Sequence, residues 1–121
     1  MKAKELMICD WIHVNAISNY SKVGYLTRMH DKSIFIEGDG WGAFEEGIEP
    51  IPLTEEILIE NGICYQFGQP WFQGYKPLTT KGVFEIVYKN IVRLPVRYVH
   101  ELQHALRLCG LNELADNFKV E

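Results

Sequence analysis

The sequence predicts an α+β fold: a small antiparallel, SH3-like N-terminal meander or barrel, then a short helix, further antiparallel strands and a C-terminal helix. Three observations carry this prediction. The first fifty residues alternate apolar and polar positions between turn signals, a short capped helical pattern follows at 54–62, and a longer amphipathic pattern runs from 96 to 109. With 121 residues and no repeat, low-complexity tract or linker, the chain reads as a single domain. Residues 1–52 form the meander, and residues 53–121 form a helix–strands–helix portion packed on it.

At the N-terminus, Trp11, His13 and Asn15 alternate with Ile12 and Val14, which predicts a strand with one wet and one apolar face. Residues 22–29 and 33–37 read as a hairpin turning at His30, Asp31 and Lys32, and residues 41–44 as a further short strand. The prolines at 50 and 52 hold the stretch 48–52 extended, because the residue before a proline is pushed out of the helical region. Thr54 then serves as helix N-cap, with Glu55 and Glu56 in the first turn, where the helix dipole favours negative charge. Asn61 and Gly62 stop that helix.

Residues 64–67 and 71–75 predict a second hairpin, and 83–89 alternates cleanly with 91–94 as its partner. The strongest helix extends from about Val96 to Cys109, with Pro95 in its first turn and Gly110 at its C′ position. Asn112 caps a short terminal helix reaching Phe118.

Composition narrows the function classes. No apolar run approaches a membrane span, and the apolar stretch 6–9 ends at Asp10, too short for a signal-peptide core. The expectation is a cytoplasmic protein without membrane association. Cys9, Cys64 and Cys109 are odd in number and widely spaced, which points to buried thiols in a reducing compartment.

The net charge of −4 is unevenly laid out. Residues 33–75 contain eight acids and no Lys or Arg, whereas 76–111 contain six bases against two acids. Nucleic-acid binding is disfavoured by these totals, although a local basic face of Lys76, Lys81, Lys89, Arg93 and Arg97 would suffice for an accessory factor.

Three stretches carry resemblances. LMICDWIHV resembles the opening strand of SH3-like and KOW-like domains, which usually read Gly-Asp-x-Val; here Cys9 stands at the glycine. IEPIPLTEEILIENG and YVHELQHALRLCGLNELADNF resemble segments of short proteins from Bacteroides-type gut bacteria, their phages and mobile elements. This resemblance implies a bacterial or phage-linked cytoplasmic protein and carries over no activity.

The one catalytic-looking motif is His100-Glu101-Leu102-Gln103-His104, which fits H-E-x-x-H. On a helix the two histidines share a face and can bind one zinc, with Glu101 as general base on a metal-bound water. Four arguments weigh toward helix packing. The string arises by chance in roughly one such sequence per hundred. The extension to a third ligand fails, because Arg107 and Gly110 stand where Gly and His belong. Val99, Leu102, Leu106 and Cys109 form the apolar stripe and leave His100, His104 and Arg107 outward. Little chain remains to enclose a cleft. A zinc-dependent hydrolase using His100, His104 and Glu101 stays open as the alternative, with no cofactor as the leading expectation.

Two other features lack catalytic form. Gly38, Asp39, Gly40, Trp41 and Gly42 read as a hairpin turn, since no helix follows to hold phosphate and the neighbouring acids repel it. The segment 65–75 is rich in aromatics, first of all a core face with a flanking staple, and second an exposed platform. Trp71, Phe72 and Tyr75, joined by Trp41, are the candidate binding residues. No Ser-His-Asp or Cys-His set is assignable. The expectation is a small non-enzymatic binding module with an unidentified protein partner.

Overall fold

The structure is a computed structural model describing residues 1, 5–16, 20–30, 33–37, 43–63, 75–77, 84–88 and 92–120. It has the α+β class expected and divides into two compact units, Met1–Ile51 with Val120–Glu121, and Pro52–Lys119. The division falls one residue before the 52/53 boundary drawn from the sequence.

The first unit is an antiparallel sheet of β1 (Trp11–Ala16), β2 (Tyr20–His30), β3 (Ser33–Ile36), β4 (Ala43–Phe44) and β5 (Ile48–Glu49). Their order is β4-β3-β2-β1-β5, so the last strand returns beside the first after a 3-10 turn at Glu45–Gly47. The alternation predicted for β1 holds: Ile12 and Val14 are buried while Trp11, His13 and Asn15 lie on the other face. Ile12, Val14, Leu26, Ile34, Ile36, Ile48 and Leu6 form the core of this unit. Gly24 leaves room there for Ile36: a Cβ at its position would stand 3.0 Å from Ile36 Cδ1 and 3.2 Å from Ile36 Cβ, tighter than ordinary contact.

The turn entering β1 holds Cys9 at φ 76°, in the left-handed region that favours glycine. Asp10 explains why the turn closes: its N–H donates to the Met7 carbonyl at 3.0 Å, and its buried carboxylate Oδ2 accepts from Met7 N–H at 2.8 Å. On either side, Cys9 N–H donates to Leu26 O and Leu26 N–H to Asp10 O, both at 2.8 Å, tying the turn to β2.

The second unit contains α1 (Glu55–Glu60), a sheet ordered β6 (Tyr75–Pro77), β7 (Phe84–Tyr88) and β8 (Val92–Val96), then α2 (Val99–Leu108) and α3 (Asn112–Asp116). Helix α1 forms as its caps dictate. Thr54 Oγ1 accepts from Ile57 N–H at 3.2 Å, and Gly62 leaves the helix at φ +76°.

Both helices α1 and α2 end in the same Schellman turn. Ile63 N–H reaches Leu58 O at 2.9 Å, and Leu111 N–H reaches Leu106 O at 2.8 Å; Gly62 and Gly110 occupy the left-handed positions.

Two expectations need correction. Pro95 does not open α2; it lies in β8, opposite Glu85. Among the described strands β8 lies at the edge of its sheet, where a missing N–H is tolerated, and α2 starts only at Val99. Asn112 is the first residue of α3 and not its cap, which is Leu111 without a side-chain bond. The expected hairpin at 64–67 and 71–75 lies outside the described residues except for Tyr75, which pairs with Ile86. No helix among the described residues is long and apolar enough to cross a membrane.

Candidate functional site

The H-E-x-x-H string lies on α2, as its spacing requires, but its environment differs from the sequence reading. Val99, Leu102, Leu106 and Cys109 are buried as expected. His100, expected outward, is only 7% exposed, and Gln103 between the two histidines is fully buried. More than half the circumference of α2 is therefore covered, and Leu108 at 81% exposure marks its wet side.

For Gln103 the reason lies in α3: its Nε2 donates to the Ala115 carbonyl at 3.0 Å, so this polar side chain is buried at low cost. Arg107 also turns to α3, donating to Asp116 Oδ1 at 3.3 Å.

The His100 ring stacks on Tyr98 with centroids 6.0 Å apart and meets His104 edge-on at 5.7 Å. Glu101 turns back to the main chain, where its Oε1 accepts from Arg97 N–H at 2.8 Å and Tyr98 N–H at 3.2 Å. It thus closes the N-terminus of α2 like the distal member of a capping box. Among the described residues no group of three His, Cys, Asp or Glu side chains is placed to hold a metal. Burial pushes the Cys109 thiol up from its ordinary range, which disfavours its reactive thiolate form. Cys9, by contrast with the expected buried thiols, is half-buried.

Of the aromatic residues singled out from the sequence, Trp41, Trp71 and Phe72 lie outside the described residues, and Tyr75 opens β6. A different aromatic set was missed. On the outer face of the first sheet, Trp11 and Tyr25 are direct cross-strand partners with rings 5.5 Å apart, edge to face. Val23, 39% exposed, stands opposite His13, whose Nδ1 lies 3.3 Å from Glu49 Oε2 on β5.

Farther along the same face Arg28 stacks over Phe35, Cζ 4.0 Å from the ring centroid. A bulge between Leu26 and Arg28 keeps Arg28 on this face, opposite Phe35. The β1 alternation was the signal that could have found Trp11; the pairings to Tyr25 and across the bulge depend on register. No protein-family model matches the chain, and no curated protein or solved structure shows significant similarity to it.

Proposed function

We propose that this chain is a small non-enzymatic protein-binding module of a bacterium, phage or mobile element, working in the cytoplasm. The observation that carries the reading is the outer face of the first sheet. There Trp11, Tyr25, Val23 and Phe35 gather on paired strands, with His13, Glu49 and Arg28 as polar partners. Rigid aromatic residues with a polar border are the composition of binding hot spots. Met7 and Ile8, exposed in the turn before β1, add apolar area to the same unit. The return of β5 to β1 after a 3-10 turn supports the SH3-like reading, a fold whose sheet faces and loops commonly serve as binding surfaces.

The test compares the wild-type chain with Val23→Asp as bait in cross-linked capture. A partner held by the wild type and lost from the variant, at an unchanged melting temperature, is the expected result. Stoichiometric zinc in protein purified without a His-tag, disappearing in His104→Ala, would overturn this reading in favour of the hydrolase.

A further inference from the structure

At the far end of the β2–β3 hairpin, four side chains form a square. Arg28 faces Phe35 and His30 faces Ser33 as direct cross-strand partners, and the two residues on each strand are two apart, hence on one face. Together they line a shallow pocket of about 300 Å³, at the small end of cavities that hold ligands. Among the described lining residues the chemistry is one of donors. The Arg28 guanidinium rests on the Phe35 ring, which fixes its plane and leaves its N–H edge to donate. The His30 ring and the Ser33 hydroxyl supply further donors, and none of the four described lining residues is an acid.

We propose that this pocket is an oxyanion site anchoring one acidic side chain, a carboxylate or a phosphate ester, of a peptide partner. The proposal rests on the protein-binding reading and names the chemistry of the partner. A planar, stacked arginine with neighbouring N–H and O–H donors matches the two-oxygen edge of such a group. A peptide is favoured over a nucleic-acid strand by the charge layout. Residues 1–51 carry eight Asp and Glu against five Lys and Arg, a negative balance that opposes a polyanion. A nucleic-acid strand is held by a row of cations, whereas one anchored side chain needs one.

Amide chemical shifts of the full chain, titrated with four probes, test this. The probes are inorganic phosphate, a phosphoserine hexapeptide, its glutamate counterpart and a single-stranded hexanucleotide. The expected result is saturable shifts centred on Arg28, His30, Ser33 and Phe35 with at least one peptide, bound more tightly than free phosphate. Which peptide binds better assigns the anion as phosphate ester or carboxylate. Arg28→Gln should weaken that binding about tenfold or more, and Ser33→Ala by less.

The absence of saturable shifts, phosphate binding as tightly as either peptide, tighter binding of the hexanucleotide, or unchanged affinity in Arg28→Gln would each overturn the proposal. Partner capture lost in Val23→Asp but untouched in Arg28→Gln would overturn the pocket alone and leave the sheet-face reading standing.

Discussion

The carboxamide of Asn61 pairs with both backbone groups of Lys119: Nδ2 donates to the Lys119 carbonyl and Oδ1 accepts from its N–H, each at 2.8 Å. The same Nδ2 donates to Ile57 O at 2.8 Å. One side chain thus closes the end of α1 and fastens the segment after α3. Asn61→Ala should lower the unfolding free energy by about 1–3 kcal/mol, seen as a shifted urea midpoint. Asn61→Asp, which keeps the acceptor for Lys119 N–H but sets a carboxylate oxygen against the Ile57 and Lys119 carbonyls at a helix C-terminus, should cost at least as much. A midpoint unchanged in both variants would show that the pairing contributes nothing.

The two Schellman turns invite a matched pair of substitutions. Among the described residues, no atom beyond the chain neighbours lies within 4 Å of a Cβ built on Gly62 or Gly110, so the strain of each alanine variant comes from φ. Gly62→Ala and Gly110→Ala should each cost about 1 kcal/mol in chemical denaturation, and the two costs should add because the turns share no residue. A cost well above that would reveal crowding at the turn.

Cys9 presents the reverse case, an L residue where the chain takes φ 76°. Cys9→Gly should therefore raise stability by about 0.5–1 kcal/mol, the relief of left-handed strain less the added flexibility of the unfolded chain. Asp10→Ala, in contrast, should destabilise by about 1–3 kcal/mol, since it leaves the Met7 N–H without its 2.8 Å acceptor. Thermal melts of both variants decide the matter, and a destabilised Cys9→Gly would mean that the side chain contributes more than its backbone strain costs.

What could be read in the sequence was whatever local chemistry decides. Thr54, Gly62 and Gly110 fix helix ends through bonds within a few residues, and Ile12 and Val14 declare their face by alternation. Pro95 misled because proline suits both a helix start and an edge strand, and only the order of β6, β7 and β8 tells which. The burial of Gln103 was illegible because it depends on the Ala115 carbonyl, a partner twelve residues away on another helix. The Trp11–Tyr25 and Arg28–Phe35 pairs escaped for the same reason. Each is a product of strand register, and the bulge before Arg28 shifts that register by a residue no periodicity marks.

Glu101 separates helix capping from catalysis most sharply. As a cap it needs only an acceptor oxygen to receive the Arg97 and Tyr98 N–H groups, and a glutamine supplies one. As a general base on metal-bound water it would need the ionised carboxylate, which glutamine lacks. Glu101→Ala should therefore lower stability by about 0.5–2 kcal/mol, whereas Glu101→Gln should retain most of it. His100→Ala should cost more than His104→Ala, because His100 is buried against Tyr98 and His104 is partly exposed. Denaturation midpoints for the four variants, measured with and without added zinc, give the decision. The capping account predicts that ordering at any zinc concentration. A midpoint raised by zinc in the wild type and in Glu101→Gln, but not in either histidine variant, would instead show that both histidines hold the metal.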